Sequence, residues 1–368
     1  MRLGAAFAAL VLIFVHGPTP AKGASFTLLG GLPGEDGDSR VSRISADGST
    51  VVGSTRGEVA FRWTSTDGLV ALGRLPGTLG ARAFAVSHDG SVIVGSSFSE
   101  TEEIPFVWRG ETNEMVALGD GSVRGVAHHV SSDGRTIAGT LNTPDGDTSG
   151  FRWTEDSGLE DLGALMPIGF SHGGPLADNG ATVFGIASDD RGPIYRRDGK
   201  PVGRLPLPTT IRAGGASAVT PDGSIAVGVG ARSDTDFAFD ALVWRGATVE
   251  RLGHLDGGAD YSVAYDVSDD GSVIVGESEN AQGPRAFIWT KEDGMQPLAV
   301  LFEDLGIDLD GWVLSNAGGL SGDGRTIAGT AWHPIRRIES GFVAVIPEPS
   351  TATLLAVGLA GLALARRR

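Results

Sequence analysis

One short sequence phrase occurs seven times along this chain of 368 residues. Each copy has an Asp-Gly or Asn-Gly pair, then a run of small and β-branched residues, then a closing glycine. The copies occupy residues 45–53, 87–95, 131–139, 177–185, 220–228, 268–276 and 321–329, and successive turn glycines lie 42 to 53 residues apart. A repeat with a period in the forties predicts an array of similar structural units that pack side by side.

The second copy shows what one unit contains. Residues 82–87 form an extended run that ends at Asp89-Gly90, and residues 91–94 form a second run rich in β-branched residues. An Asp-Gly pair between such runs predicts a hairpin, because the turn needs residues that tolerate a positive φ angle. Residues 104–108 and 115–118 predict two further strands. Four short antiparallel strands in about 46 residues are typical of a propeller blade.

The third predicted strand carries an apolar residue two positions before an aromatic one. Residues two apart lie on one face of a strand, so these pairs predict apolar packing between stacked sheets. A role in stacking on a ligand is the alternative for the tryptophans. The pairs are Phe61 and Trp63, Phe106 and Trp108, Phe151 and Trp153, Leu242 and Trp244, and Phe287 and Trp289, with Ile194-Tyr195 in the weaker fourth repeat.

The seventh repeat lacks a fourth strand, because its third strand, residues 341–346, leads directly into the C-terminal segment. The missing sequence occurs near the other end of the chain, where residues 27–34 resemble residues 72–77. An N-terminal strand that completes the last unit removes the open edges of the array. The sequence therefore predicts an all-β fold, a seven-bladed β-propeller of residues 25–346 that the N-terminal strand closes.

Residues 1–23 predict a secretory signal peptide. Arg2 supplies the positive charge, residues 3–15 form a 13-residue apolar run, and residues 21–23 offer small side chains for cleavage. A membrane anchor is the alternative, although the run is short for a bilayer span. The chain contains no cysteine, so packing rather than disulfides must hold an exported fold together.

Residues 347–368 combine Pro347, Glu348 and Pro349 with an apolar run at 352–365 and a basic cluster. A helix from residue 350 onward would be about 24 Å long, which predicts a short transmembrane helix with its basic end in the cytoplasm. The basic cluster consists of Arg366, Arg367 and Arg368.

This tripartite segment resembles the PEP-CTERM sorting signal of Gram-negative bacteria. The resemblance implies recognition and processing by an exosortase, usually in cells that make an exopolysaccharide. It predicts a protein that is anchored transiently in the inner membrane and then reaches the cell surface or the extracellular matrix. An ordinary tail anchor is the alternative.

The repeat itself resembles the HAF-type extracellular repeat proteins. The resemblance rests on the Asp-Gly turn, the strand that ends in a glycine, the Ala-Phe-x-Trp pattern and the Leu-Gly-x-Leu pattern, and it covers residues 25–346. It implies a β-propeller outside the cell, and it lends this chain no set of catalytic residues.

The charge balance of the exported part restricts its partners. Residues 24–346 carry 44 acidic and 24 basic residues, a net charge of −20. Such a surface disfavours nucleic acid and anionic membranes as partners.

Loop lengths distinguish the two ends of the predicted strands. The Asp-Gly turns and the links from third to fourth strand are nearly constant, whereas the links from second to third strand vary. Variable loops on a rigid scaffold are the usual place for binding. The candidates are residues 99–103, 145–147, 189–191, 234–240, 332–333 and 336–337.

Calcium is the one cofactor that these acidic loops suggest, because Ca²⁺ prefers several oxygen ligands. Asp308 and Asp310 have the spacing of a metal pair, in a long crossing where residues 302–305 predict a helical turn. No loop has a full calcium signature, so we expect solvated loops and no metal or cofactor.

No catalytic residues are predicted. The histidines match no zinc-binding spacing, and the sequence has neither a Walker loop nor a nucleophile-elbow motif. We therefore expect a non-catalytic module that binds extracellular polysaccharide or a surface protein, or that serves as a structural component of the matrix. The alternative is a polysaccharide-active hydrolase or lyase whose carboxylates converge from different units.

Overall fold

The computed structural model describes residues 23–34, 38–142, 148–163, 165–166, 176, 182–187, 193–197, 200–232 and 238–347. Within these ranges the protein is an all-β structure with 28 strands and one short helix. The predicted signal segment up to residue 22 and the predicted sorting tail after Pro347 lie outside the described residues. In the part of the chain that the structure describes, no helix is long and apolar enough to cross a membrane.

The chain begins with β1 (Ser25–Gly30), and the first three repeats then form separate antiparallel sheets of four strands in chain order. These strands are β2 (Ser39–Ile44), β3 (Thr50–Thr55), β4 (Ala60–Thr64), β5 (Gly68–Gly73), β6 (Gly80–Val86), β7 (Val92–Phe98), β8 (Glu103–Arg109), β9 (Glu114–Ala117), β10 (Gly125–Val130), β11 (Thr136–Asn142), β12 (Thr148–Thr154) and β13 (Gly158–Gly163). The four strands predicted for the second repeat are thus confirmed, with ends that differ by a few residues.

The next three repeats also contribute four strands each, and a single parallel pair between Phe239 and Tyr261 joins the fifth unit to the sixth. The fourth unit contains β14 (Leu165–Met166), β15 (Thr182–Ala187), β16 (Pro193–Arg197) and β17 (Lys200–Arg204). The other two contain β18 (Ile211–Val219), β19 (Ile225–Arg232), β20 (Phe239–Arg245), β21 (Thr248–Gly253), β22 (Gly257–Val267), β23 (Val273–Asn280), β24 (Gly283–Thr290) and β25 (Gly294–Pro297).

The last sheet combines the two ends of the described chain. Its strands are β26 (Val313–Leu320), β27 (Thr326–His333) and β28 (Ile338–Val345), and β1 pairs with β28 so that Ser25 lies opposite Val345. The N-terminal strand therefore occupies the place of the missing fourth strand in this sheet.

The junction beside β1 repeats a contact found between two ordinary units. Ser262 accepts a hydrogen bond from the Ala241 amide at 2.8 Å and donates one to the Gly253 carbonyl at 2.8 Å. Ser39 likewise accepts one from the Gly341 amide at 2.9 Å and donates one to the Gly30 carbonyl. Gly30 of β1 thus takes the role that Gly253 of a fourth strand plays elsewhere.

Recurring side chains hold the six hairpin turns of the repeat that the structure describes. In the second turn, Asp89 Oδ1 accepts hydrogen bonds from Ser87 Oγ and the Ser91 amide, both at 2.9 Å, and Ser87 Oγ accepts one from the Val92 amide at 3.0 Å. Gly90 has a φ of 76°, whereas Asp89 does not have a positive φ. Only the glycine is therefore needed for its backbone freedom, and the aspartate acts through its carboxylate.

The same network recurs in five other turns, and in the second turn it lowers the pKa of the carboxylate. Hydrogen bonds from the Ser91 hydroxyl and amide hold the pKa of Asp89 below its ordinary value. The other turns are centred on Asp47, Asp133, Asp222, Asp270 and Asp323. The acidic residues of the repeat are thus structural hydrogen-bond acceptors.

In six of the seven units, as far as the structure describes them, a bulge and a glycine bring the first two strands close together. The first strand carries an extra residue six positions before the turn glycine, at Ser42, Phe84, His128, Ser217, Tyr265 and Gly318. Opposite it, a Cβ on Gly95 would lie 1.9 Å from the Arg82 carbonyl oxygen and 2.9 Å from the Phe106 ring. The equivalent carbonyl contact at Gly53, Gly139, Gly228, Gly276 and Gly329 would be 1.9 to 2.1 Å.

The predicted packing role is confirmed for most of the third-strand aromatics, whereas Trp63 and Trp153 are only partly buried against the apolar clusters. Phe61, Phe106, Phe151 and Phe287 are completely buried, and Trp108, Trp244 and Trp289 are at most 4% exposed. Each phenylalanine lies across the strand pair from a closing glycine, as Phe106 does from Gly95. The absence of a side chain on the glycine makes room for the ring.

Backbone hydrogen bonds connect the turns of neighbouring units. The Asp47 amide donates to the His88 carbonyl at 3.1 Å, and the His88 amide donates to the Ser132 carbonyl at 3.2 Å. The Asp269 amide donates to Gly322 and the Gly322 amide donates to Ala46, at 2.9 and 2.8 Å. The last bond links the seventh turn to the first.

The helix α1 (Leu298–Asp304) lies in the crossing to the seventh unit, where a helical turn is predicted at residues 302–305. The helix begins earlier than predicted and ends one residue before the predicted end. Its completely buried Phe302 packs against Phe26 of β1 and Phe342 of β28, with ring centroids 6.0 and 6.5 Å apart. It therefore stabilises the sheet that contains both chain ends.

We expect Gly95→Ala to lower the free energy of unfolding by about 3 kcal/mol, because the new Cβ overlaps a backbone carbonyl that cannot move freely. Gly110→Ala is the matched control, since its Cβ would meet nothing closer than 3.5 Å. Urea unfolding of both variants measures the difference. A loss at Gly95 no larger than that at Gly110 would contradict the role given to the closing glycines.

Candidate functional site

The structure has two faces, which we name by the loops that they carry. The turn face contains the Asp-Gly turns and the links from third to fourth strand. The variable-loop face contains the links from second to third strand, such as residues 99–102, 281–282 and 334–337. Because neighbouring strands of a unit are antiparallel, the first and third strands both end at the turn face. The loop residues that come directly after these strands therefore lie on this face.

Only part of the predicted loop set falls within the described residues. Residues 145–147, 189–191 and 234–237 lie outside them. In the first candidate loop, the Ser99 amide donates to the Glu102 carbonyl at 2.9 Å, and Glu102 forms an ion pair with Arg124 at 3.0 Å. A cavity of about 570 Å³ lies beside this pair, between the second and third units.

The predicted Asp308–Asp310 pair lies in a compact loop with His333 and Arg336. The Asp310 amide donates to Asp308 Oδ1 at 2.9 Å, and Arg336 lies 3.6 Å from the Asp310 carboxylate. His333 is buried against Trp312, with centroids 5.2 Å apart. Among the described residues, no group of three or more His, Asp or Glu side chains is arranged to hold a metal.

A small cavity of about 130 Å³ lies at the centre of the structure, and residues from all seven repeats line it. Arg43 extends across it and donates to the Gly318 carbonyl at 2.6 Å and to the Ser217 carbonyl at 2.9 Å. Arg43 thereby connects the first unit with the fifth and the seventh.

Asp266 is the acidic counterpart of Arg43 in this cavity. Its Oδ2 accepts a hydrogen bond from the Leu320 amide of the seventh unit at 2.9 Å. Burial raises the pKa of Asp266, although the nearby charge of Arg43 and the Leu320 hydrogen bond act in the opposite direction. The pair Arg43–Asp266 therefore serves to join units.

A second charged cluster lies on the outer strands of the fifth unit. Asp240 is only 2% exposed, and its carboxylate lies 2.6 Å from Arg251 Nη2 and 3.0 Å from His254 Nε2. The hydrogen bond that His254 donates to the Asp240 carboxylate raises the pKa of His254. One part of the predicted loop 234–240 thus forms a buried ion pair that fixes two strands.

The most unusual chemistry on the variable-loop side is a tyrosine–glutamate cluster on β22 and β23, which we define as Tyr261, Tyr265, Glu277 and Glu279. Tyr265 is hydrogen-bonded to Glu277 and to Tyr261. All four side chains are half-buried. The Tyr261 ring also packs edge-on against Phe239 of the fifth unit, at 5.9 Å.

The strand register explains where this cluster lies. Glu277 and Glu279 share a face of β23 with Val275, whose side chain packs among apolar residues of β26. Glu279 is near the end of β23 on the variable-loop face, Tyr261 is the fifth of the eleven residues of β22, and Tyr265 is the bulged residue of β22. The bulge therefore aims Tyr265 differently from its neighbours and brings it to Glu277.

Glu277 has a strongly altered acidity. Burial, together with the negative charge of Glu279, raises the pKa of Glu277 to about 7, while the hydrogen bond from Tyr265 opposes the increase. A carboxyl group with this pKa is partly protonated near neutral pH. It can then donate a hydrogen bond as well as accept one.

None of these four residues is among the candidates predicted from the sequence, although the repeat itself carries a signal for two of them. At the position after the closing glycine, five other repeats carry Ser54, Ser96, Thr140, Val229 and Thr330, and only the sixth carries a glutamate. At the bulge position only the sixth unit has a tyrosine among the described bulges. Tyr265 and Glu277 thus both differ from the residues at the same positions of the other repeats, and they lie on two paired strands. This shared difference is the signal in the sequence that identifies the two residues.

Comparisons with known proteins found one matching sequence motif and several solved structures with a similar fold. Residues 345–368 match the PEP-CTERM protein-sorting motif, which implies export and processing by an exosortase. No curated protein matches the sequence.

Solved structures with a similar fold have low sequence identity. An oligogalacturonate lyase from Vibrio parahaemolyticus is 14% identical over 89% of this chain and 98% of its own, with a TM-score of 0.56. An oligogalacturonate lyase in complex with manganese is 14% identical over 90% of this chain and 96% of its own, with a TM-score of 0.57. These similarities support a propeller-like fold.

A TolB structure from Acinetobacter baumannii is also 14% identical, with a TM-score of 0.47. It is matched over 76% of this chain, and this chain spans 64% of its length.

We expect Glu277→Gln to change how stability depends on pH. Because the folded-state pKa of about 7 lies above the ordinary value of 4.5, the wild-type protein loses stability as the pH rises through this interval. The variant has no such carboxyl group. As the pH rises from about 4.5 to about 8, the free energy of unfolding of the variant should therefore increase relative to that of the wild type by up to roughly 3 kcal/mol.

Urea unfolding at both pH values measures this gain, and Glu292→Gln at an exposed position is the control. A pH-independent difference between Glu277→Gln and the wild type would contradict the assigned acidity.

Proposed function

We propose that this protein is an exported, non-catalytic seven-bladed β-propeller that an exosortase sorts to the cell surface or exopolysaccharide matrix. The observation that carries the proposal is the match of residues 345–368 to the PEP-CTERM sorting motif. Pro347, Glu348 and Pro349 form the recognition segment, and residues 352–365 with the terminal arginines form the short membrane anchor before cleavage.

Three observations support the closed seven-bladed architecture. Seven units of four strands follow the seven repeats, with β1 completing the last unit. Ser39 joins the seventh unit to the first in the way that Ser262 joins the fifth to the sixth. The Gly322 amide bonds to the Ala46 carbonyl, which continues the chain of turn contacts from last to first. The repeat pattern also supports membership of the HAF-type extracellular proteins.

The proposed binding surface is the tyrosine–glutamate cluster on the variable-loop face. Tyr261 and Phe239 offer aromatic surface, and Glu277 and Glu279 offer groups that hydrogen-bond to hydroxyls. Aromatic surface beside carboxyl groups suits the apolar faces and the hydroxyl edges of sugar rings. The net charge of −20 for residues 24–346 favours a neutral polysaccharide over an anionic one.

A polysaccharide-active enzyme is the second candidate. A glutamic acid with a pKa of about 7 beside a second carboxylate is the chemistry that a general acid needs. The two oligogalacturonate lyases of similar fold are named for such a substrate, at 14% identity. We prefer a binding function because Tyr265 already forms a hydrogen bond with Glu277. A substrate would have to displace the Tyr265 hydroxyl before it could receive the proton of Glu277.

Co-sedimentation of the processed protein with the host's extracellular polysaccharide tests the binding surface. We expect the wild type to bind without forming new reducing ends, and Tyr261→Ala to bind about fivefold more weakly because it loses one aromatic contact. Val116→Ala removes a 48% exposed side chain from an outer strand and should bind normally. New reducing ends that disappear in Glu277→Gln would establish the enzyme instead.

Replacement of Pro347, Glu348 and Pro349 by alanine tests the sorting proposal in the host. We expect the variant to accumulate unprocessed in the membrane fraction, because the segment that the exosortase recognises is gone. Ile335→Ala, at an 88% exposed position, should be processed like the wild type. Normal release of the triple variant would contradict sorting through this motif.

A further inference from the structure

Both ends of the described chain leave the protein on the turn face. Ser25 pairs with Val345, so β1 begins where β28 ends. The Ile346 amide donates to the Arg325 carbonyl in the seventh turn at 2.8 Å, and the Ile346 side chain is 7% exposed. The chain that continues toward the sorting tail is thus fixed to the turn face up to this residue.

The free connection between this point and the apolar segment is short. Residues 347–351 separate Ile346 from the apolar run that begins at Ala352. Even when fully extended, five residues span about 17 Å. The eight-residue strand β28 (Ile338–Val345) runs from the variable-loop face to the turn face and is about 26 Å long. The connection is therefore shorter than the distance between the two faces.

We propose that in the tail-anchored precursor the turn face lies toward the lipid bilayer and the variable-loop face points away from it. This inference rests on the membrane anchor of the proposed function. To turn the variable-loop face to the membrane, the point of attachment would have to rise about 26 Å above the lipid, and the connection does not reach so far. The tyrosine–glutamate cluster is then directed away from the membrane while the protein is still attached.

The tether, and not attraction to lipid, sets this orientation. The turn face carries the six turn carboxylates, and hydrogen bonds hold the pKa of five of them below the ordinary value, so these five stay ionised. Arg135 and Arg325 lie in the same turns and offset only part of this charge. Such a surface is not attracted to anionic headgroups. An exosortase that cleaves the attached precursor has to approach along the turn face.

The absence of cysteine from the chain permits a direct test with the full-length protein in lipid vesicles. Single cysteines are introduced at two exposed positions that flank β24 (Gly283–Thr290), Glu292→Cys on the turn face and Gln282→Cys on the variable-loop face. A second pair, Glu111→Cys and Glu100→Cys, flanks β8 (Glu103–Arg109) in the same manner. Each is labelled with a fluorophore, and quenching by a quencher on the lipid headgroups is measured.

We expect quenching at Glu292→Cys to exceed that at Gln282→Cys about twofold or more, because the strand between them is about 26 Å long. Glu111→Cys should likewise exceed Glu100→Cys. Insertion of about 20 Gly and Ser residues between Ile346 and Pro347 should remove both differences, because the longer connection no longer restricts the protein.

Equal or inverted quenching in the native-length protein would overturn the proposed orientation. Differences that persist with the long linker would overturn the tether as its cause. Flotation of the vesicles distinguishes a failure of the premise, since a protein that does not float with the lipid has no anchor and the proposed membrane attachment is itself wrong.

Discussion

The close approach of the first and second strands is the interaction on which the structure of each unit depends. A carbonyl oxygen such as that of Arg82 lies where a Cβ of Gly95 would be, and the Phe106 ring fills the space beside the same glycine. The aromatic residue of the third strand can therefore lie inward, in the completely buried layer between sheets. Without disulfides, this packing and the hydrogen-bonded turns supply the stability of an exported protein.

The turns add a second layer of order to this packing. The turn carboxylates accept hydrogen bonds from hydroxyl and amide groups of the same turn. Backbone hydrogen bonds also connect turns of neighbouring units. The six described turns therefore share one hydrogen-bond network. Function is therefore expected where units depart from the repeat, and the sixth unit departs at two positions whose side chains meet, Tyr265 at the bulge and Glu277 on the next strand.

The positions of the chain ends relate this site to the sorting tail. The sheet that joins β1 to β28 puts the exit of the tail on the turn face, one strand length away from the loops that vary. Under the proposed orientation, the turn face lies toward the membrane and the variable-loop face points away from it. This proposed orientation is the same whether the tyrosine–glutamate cluster binds a ligand or acts on one.

The sequence by itself determined the repeat, the strand order in a unit and the sorting motif, because turns, β-branched runs and a Pro-Glu-Pro segment are encoded by neighbouring residues. It also indicated that the N-terminal strand belongs to the last unit, since Leu29-Gly30 imitates the end of a fourth strand. The tertiary structure alone decided that Arg43 reaches the fifth and seventh units and that Tyr265 meets Glu277. Those contacts depend on a bulge and on the packing of strands that are distant in sequence. Burial, which raises the pKa of Glu277, exists only after the units have packed together.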